Sequence, residues 1–197
     1  MLTKVAEANF PSRFGHFRIY GFDGNYGGEV QECVVLRMGD VESSVEPPLV
    51  RIHSECLTGD VFHSLRCDCR LQLELSLNLI AQEGRGLLIY EHQEGRGIGL
   101  LNKLRAYELQ DDGADTVEAN EQLGFAADLR NYEMPAEILL YFKIKQLRLL
   151  SNNPDKITAL ERAGIKVVER IPCIVPAHES TAAYLKTKKQ KLGHLLD

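Results

Sequence analysis

Beyond the first fifty residues, apolar β-favouring runs take turns with stretches of helical pattern, and that alternation sets the narrowest limit on what the chain can become. "GLLIY" at Gly86, "LRLL" at Leu147 and "IKVVER" at Ile165 each precede or follow a candidate helix. Strands separated by helices form a sheet with helices packed against it, the α/β class. The first fifty residues read differently. "FRIY" at Phe17, "ECVVLR" at Glu32 and "LVRIH" at Leu49 are short strands divided by turns bearing Gly, Asp and Pro. The expected architecture is one α/β domain spanning residues 1–197, with a mixed β-sheet flanked by helices and a strand-rich N-terminal part.

The helices are read from composition and end signals. "LQLELSLNLIAQEG", from Leu71, repeats Leu every second residue as a strand would. It is nevertheless read as a helix, because Leu, Gln, Glu and Ala are helix formers, no β-branched residue precedes Ile80, and the run is too long for a usual strand. In "GIGLLNKLRAYELQDDG", Leu100, Leu101, Leu104 and Tyr107 recur at helical spacing and Gly113 ends the pattern. Asp115 three residues before Glu118 forms a capping-box pattern that opens a short helix. Asn153 as N-cap, Pro154 in the first turn and Gly164 past the end bracket another. "ESTAAYLKTKKQKLGHLL" reads as a basic-faced helix, and no repeat, low-complexity tract or linker interrupts the chain.

With 44% hydrophobic and 26% charged residues, and no apolar run near the roughly 18 residues that span a bilayer, the chain reads as soluble. Its start, "MLTKVAEANF", lacks the apolar core of a secretory signal, so a cytoplasmic location is expected. A net charge of −5 argues against a nucleic-acid polymer or an anionic membrane as partner, since both need surplus Lys and Arg. A local cluster of cations can still hold one small anion.

Three of the five cysteines, Cys56, Cys67 and Cys69, fall within fourteen positions. In a reducing compartment, close spacing and an odd count point to metal or catalysis more than to disulfides. Cys67 and Cys69, at i and i+2, point the same way in an extended or turning backbone, and Cys56 is near enough to fold back on them. Three thiolates suit Zn²⁺, yet C-x10-C-x-C lacks a fourth protein ligand. His53 or His63 could close a structural site, a water in fourth place would make an open catalytic one, and thiols that bind nothing are a third reading. Three thiolates donate more charge than three imidazoles, so a zinc so held acidifies water less and needs a neighbouring base. Cys33 and Cys173 lie in apolar runs and read as small core residues.

"GLLIYEHQEGRGIGLLNK" runs from strand through a Gly-rich turn into a helix, an order that presents backbone N–H groups and Arg96 to an anion. Gly95, Gly97 and Gly99 give G-x-G-x-G, which misses the dinucleotide fingerprint, although Asp115 lies about where its ribose-binding acid would be. No P-loop pattern occurs. Asp128 and Arg130, in "GFAADLRNYE", would by themselves be a solvated surface pair.

Taken together, "RIHSECLTGD", "LRCDC", "QEGRGIGLLNKLRAYELQDDGADTVEAN", "LGFAADLR" and "LLSNNPDK" closely resemble the GTP cyclohydrolase II family, in order and spacing, from about Val5 to Leu196. The resemblance implies a stand-alone, homodimeric enzyme that hydrolyses GTP with Zn²⁺, and with Mg²⁺ on the triphosphate. It releases formate from the guanine imidazole ring and pyrophosphate from the triphosphate, giving 2,5-diamino-6-ribosylamino-4(3H)-pyrimidinone 5′-phosphate, the first step of riboflavin biosynthesis. Position by position, it implies Cys56, Cys67 and Cys69 as zinc ligands with water in fourth place. GTP contacts would come from Arg51, Ile52, His53, Ser54, Glu55, Gln72, Glu94, Gly95, Arg96, Thr116, Ser151 and Lys156. Asp128 would be the proton acceptor, Arg130 the nucleophile at the α-phosphate, and Tyr107 an assistant at the ring carbon. A guanidinium stays protonated to a pH of about 12 or more, so electrostatic stabilisation by Arg130 stands beside the nucleophilic role. The chain departs from the family pattern at Arg70, where Gly is usual, at His92, where Arg is usual, and at Ser151, where Thr is usual. Arg70 could add a phosphate contact, alter the turn or point to solvent. Alternatives are a variant that performs part of the reaction or serves a specialised pathway, a non-catalytic nucleotide binder with a closed zinc site, and a dinucleotide binder using the glycine turn.

Overall fold

The computed structural model describes residues 1–42 and 46–176, together with 181, 193 and 195; the C-terminal segment expected as a basic-faced helix lies largely outside the described residues. Strands β1 (Thr3–Ser12), β2 (Gly15–Tyr26) and β3 (Glu29–Met38) form an antiparallel meander. Gly27 and Gly28, both at positive φ, make the two-residue hairpin turn between Tyr26 and Glu29, a conformation that side chains with a β-carbon resist. Strands β4 (Leu49–Ser54), β5 (Gly86–Glu91), β6 (Gln146–Leu150) and β7 (Lys166–Ile171) are parallel to one another, and β5 joins the meander by running antiparallel to β3. All seven lie in one mixed sheet ordered β1-β2-β3-β5-β4-β6-β7, which agrees with the expected class and the strand-rich start.

Helices α1 (Leu57–Asp60) and α2 (Cys69–Glu83) connect β4 to β5. Helices α3 (Leu100–Asp111), α4 (Thr116–Gln122) and α5 (Glu133–Tyr141) connect β5 to β6, and α6 (Pro154–Arg162) connects β6 to β7. Successive strand residues face opposite sides of the sheet. Val50, Ile52, Leu87, Ile89, Leu147 and Leu149 therefore pack with Met134, Ile138, Leu139 and Leu160 of α5 and α6 on one face. Leu49, Leu88 and Leu150 pack with Leu77 and Ile80 of α2 on the other. Truncating a fully buried residue such as Ile52 to Ala would cost about 2–5 kcal/mol.

The Leu-alternating run is a helix, and its buried positions, Gln72, Ser76, Leu77 and Ile80, follow helical spacing and not the period of two that Leu displays. Helix α3 is also present, but the face marked by its leucines is not the buried one. Leu101 is 73% exposed and Leu104 43%, whereas Ala106 is buried. The capping box of Asp115 and Glu118 and the Asn153 cap of α6 are both formed.

The chain leaves β4 toward β5 on one side and later returns to its other side as β6. Such a reversal opens a crevice at the carboxyl ends of the strands, where ligands of open α/β sheets bind. Ser54, Glu91 and Leu150 are the last residues of the three strands that meet there.

Candidate active site

The three-cysteine cluster is built from the segment between β4 and α2. Cys56 precedes the single turn of α1, and Cys69 begins α2. The sulfurs of Cys56 and Cys67 are 3.7 Å apart, and all three lie within 4.8 Å of one another. Three thiolates at 2.3 Å from one tetrahedral zinc would be about 3.8 Å apart, so the donor set fits the ion in both chemistry and spacing. Gly59 makes this approach feasible, because a β-carbon there would stand 2.8 Å from Cys67 Sγ.

Neither histidine offered as a fourth ligand joins the cluster; among the described residues, the one group of His, Cys, Asp and Glu side chains close enough to share a metal is these three cysteines. His53 stacks on Tyr90, with ring centroids 5.4 Å apart, and its Nε2 pairs with the Asp60 carboxylate at 3.1 Å. Burial holds its pKa below the ordinary histidine value against the pull of Asp60. Asp60, itself buried, also accepts from Cys56 N at 3.0 Å and from the Tyr90 hydroxyl at 2.9 Å, so it anchors the cysteine loop from below.

Arg70 has a definite task. Its Nη1 donates to the Asp60 carbonyl at 2.6 Å and its Nε to Glu74 at 2.8 Å, so the guanidinium ties the end of α1 to the first turns of α2. It does not line the cavity. His92 pairs with Glu55 at 3.1 Å near the surface, and the Ser151 hydroxyl is spent on the turn before α6, accepting from Asn153 N at 3.0 Å.

A cavity opens from the sulfurs across the strand ends. Of the expected site residues, Arg51, His53, Ser54, Glu55, Gln72, Glu94, Gly95, Arg96, Tyr107, Thr116, Arg130, Ser151 and Lys156 line it with the three cysteines. Two do not. The Ile52 side chain is fully buried in the core, and only its carbonyl turns this way, accepting from Lys156 Nζ at 2.7 Å. Asp128 stands behind Arg130, its carboxylate receiving the Arg130 backbone N–H at 3.1 Å, Nε at 2.9 Å and Nη2. Burial pushes the Asp128 carboxyl up, but these bonds outweigh it and hold it below the usual carboxylate range. Burial likewise opposes the Arg130 charge, and Asp128 outweighs it, raising the guanidinium above its already high value.

The cavity is lined by basic side chains, two of which keep a buried N–H without an acceptor. Arg51 reaches Leu150 O at 3.0 Å and Gln72 Oε1 at 2.8 Å, yet its Nε, like Arg96 Nη1, is buried with no hydrogen-bond partner among the described residues. Burial, followed by the neighbouring Arg51, drives the Lys156 pKa well below the ordinary lysine value. Orphaned buried donors and a suppressed ammonium are the arrangement that an anion would satisfy. Arg96 sits at φ 63° between Gly95 and Gly97, a left-handed conformation costly for a side chain with a β-carbon.

Several residues of the site escaped sequence reasoning. Lys103 of α3 donates to Cys56 Sγ at 3.1 Å and to Glu94 Oε1 at 2.7 Å. Gln93 pairs its amide with the backbone of Asn131, Nε2 to O at 2.7 Å and N to Oε1 at 3.0 Å, stitching the Arg130 segment to the end of β5. Glu91 accepts from Ser54 at 3.2 Å and Gln93 at 2.8 Å, and Ser54 in turn accepts from Arg130 at 3.3 Å. Burial pushes the Glu91 carboxyl up to about 7, against the pull of Lys156 and Arg130. Asp60 was also missed. Only Lys103 left a signal, a cation on a helix whose inner side had to be found in three dimensions. Tyr107 was expected, and its hydroxyl meets Thr58 Oγ1 at 3.2 Å, beside the cysteine loop.

Comparison with known proteins places these observations in a family. A GTP cyclohydrolase II family model matches residues 3–172. The chain is 53% identical over 195 residues to a GTP cyclohydrolase-2 of Pasteurella multocida, covering 99% of this chain and 88% of that protein. It is 54% identical over 196 residues to a GTP cyclohydrolase-2 of Klebsiella pneumoniae, covering 100% and 96%. Against the riboflavin biosynthesis protein RibBA of Bacillus subtilis it is 53% identical over 196 residues, all of this chain and 49% of that one.

Proposed function

Because the chain belongs to the GTP cyclohydrolase II family, we propose that its cavity binds GTP and carries out both hydrolytic events of that reaction, release of formate and release of pyrophosphate. The observation that carries this reading is that the three-cysteine cluster and the basic side chains with orphaned donors line one cavity. A triphosphate needs cations and a purine carbon needs an activated water, and the two requirements are met a short distance apart.

Zinc held by Cys56, Cys67 and Cys69 would supply the Lewis acidity that activates water toward the carbon between the two imidazole nitrogens. Tyr107 has its pKa raised by burial, so its hydroxyl stays protonated near neutral pH and can donate to a ring nitrogen as the bond opens. At the other end Arg51, Lys156 and Arg130 would hold the phosphates, and Mg²⁺ arriving with the nucleotide would supply further neutralising charge. Arg130, kept charged by Asp128, stabilises the negative charge that builds at the α-phosphoryl group. Asp128 has its oxygens committed to that guanidinium and is a weak base in this state, so its first task is to hold Arg130 in place. Its expected role in accepting a proton requires Arg130 to move when the nucleotide is bound.

No helix among the described residues is long and apolar enough to cross a membrane. The reading extends to a cytoplasmic homodimer, for which exposed Phe62, Leu65 and Leu101 offer apolar surface; sedimentation equilibrium tests the dimer. Incubation of the zinc-loaded protein with GTP and Mg²⁺ tests the reaction. Formate and pyrophosphate are expected in equal amounts, and removal of zinc with Mg²⁺ kept in excess should abolish formate release until zinc is restored. Pyrophosphate alone would identify a partial reaction, and GTP binding without either product a nucleotide-binding protein.

A further inference from the structure

Lys103 stands against one ligand of the cluster. Its Nζ lies 3.1 Å from Cys56 Sγ and 2.7 Å from Glu94 Oε1, and its side chain is only 12% exposed. The Glu94 carboxylate is fully engaged, accepting from Gly95 N on Oε1 and from Leu57 N on Oε2, both at 2.7 Å. Held on both oxygens, it keeps the ammonium on a single sulfur.

We propose that Lys103 is a tuning residue of the metal centre: its ammonium donates to the Cys56 thiolate, draws electron density from that sulfur and raises the Lewis acidity of the metal. The inference rests on the metal-dependent reading of the cluster. Three thiolates bring three negative charges to a dication, which weakens its pull on whatever occupies the open position. A thiolate that accepts a charged N–H bond donates less to the metal, and outer partners of this kind commonly change activity by about 10- to 100-fold. Glu94 belongs to the turn that lines the nucleotide cavity, so the same carboxylate that places the ammonium ties the electronics of the cluster to that turn.

The test uses Lys103→Met, which keeps the length and removes the donor, and Lys103→Arg, which keeps the charge. Each protein is loaded with Co²⁺ to record the sulfur-to-cobalt charge-transfer absorption, and with zinc to measure kcat and KM for GTP. In Lys103→Met the band is expected to move to lower energy, because an unbonded thiolate gives up its electron more readily. Its kcat should fall about tenfold or more with KM within about threefold, and Lys103→Arg should restore much of both. An unmoved band or an unchanged kcat would overturn the proposal. So would a folded Lys103→Met that no longer takes up cobalt, since that makes the lysine an anchor for the loop. Failure of the parent chain to bind cobalt at all would instead overturn the metal-dependent reading.

Discussion

Gly59→Ala separates the metal centre from the fold that carries it. A β-carbon at this buried position in α1 would stand 2.8 Å from Cys67 Sγ, 3.1 Å from Cys56 Sγ and 3.2 Å from Cys69 Cβ. The backbone at Gly59 is not left-handed, so alanine is allowed there and by helix propensity is favoured by up to about 1 kcal/mol. Non-bonded carbon and sulfur are comfortable at roughly 3.5–4 Å, so Cys67 must retreat by about 0.7–1.2 Å. In the metal-free protein it can do so by rotating, at a cost of about 0.5–1.5 kcal/mol. Around an ion that retreat is closed, since ligand distances tolerate only about 0.2 Å. Overpacking of this kind costs about 1–3 kcal/mol, which converts to zinc binding about 5- to 150-fold weaker. Melting of the metal-free variant should remain within about 1 kcal/mol of the parent. Competition with a chromophoric chelator measures the first quantity and thermal unfolding in excess chelator the second. Parental zinc affinity in the alanine variant would show that the three sulfurs do not converge on one ion, and the reading of the cluster would fall.

Arg70→Ala removes partly buried charged hydrogen bonds to the Asp60 carbonyl and Glu74, so unfolding should become easier by about 1–2 kcal/mol while KM for GTP stays within about twofold; a large rise in KM would mean that the guanidinium reaches the nucleotide. Glu91 has a folded pKa near 7, above its unfolded value, so the stability it contributes is full below about pH 4.5 and is lost as the pH rises through about 7. Thermal melts at pH 5 and pH 8 should therefore show Glu91→Gln holding its stability where the parent loses up to a few kcal/mol, and parallel losses would refute the burial argument. Asp128→Asn leaves Arg130 without its charged partner, and steady-state assays should find kcat reduced about 10- to 100-fold with KM little changed; near-parental turnover would show that Arg130 is placed by other means.

The features legible in the sequence are those set by neighbours along the chain. The Asp115 capping box and the Asn153 cap depend on local hydrogen bonds and backbone angles, and short-range pattern captures such things. The cysteine cluster was half legible. Spacing allowed Cys56, Cys67 and Cys69 to meet, but excluding His53 required knowing that Asp60 and Tyr90 occupy its ring. Helix α3 shows why periodicity is silent about direction. Its leucines mark one side, yet Lys103 is the side chain turned inward, because a thiolate and a carboxylate repay its desolvation and leave Leu101 in solvent. Charge pairs across 47 residues of sequence, such as Lys103 with Cys56, leave no local trace.

Two buried carboxylates join the site's halves mechanically. Asp60 fixes the Cys56 backbone and holds His53 and Tyr90 at the ends of β4 and β5. Glu94 binds the backbone of Leu57, the residue after Cys56, and belongs to the turn that carries Arg96. The Arg96 carbonyl in turn accepts from Leu129 N at 3.0 Å, next to Arg130. A continuous set of hydrogen bonds thus runs from the cysteine loop through the glycine turn to the segment that carries Arg130. Displacing any one of these segments would move both the three-cysteine cluster and the basic side chains proposed to hold the phosphates. The proposed reaction acts on a purine ring and on an α-phosphate of one nucleotide, which requires the two ends of the cleft at a set separation, and these short bonds to backbone atoms would supply that constraint without occupying the cavity.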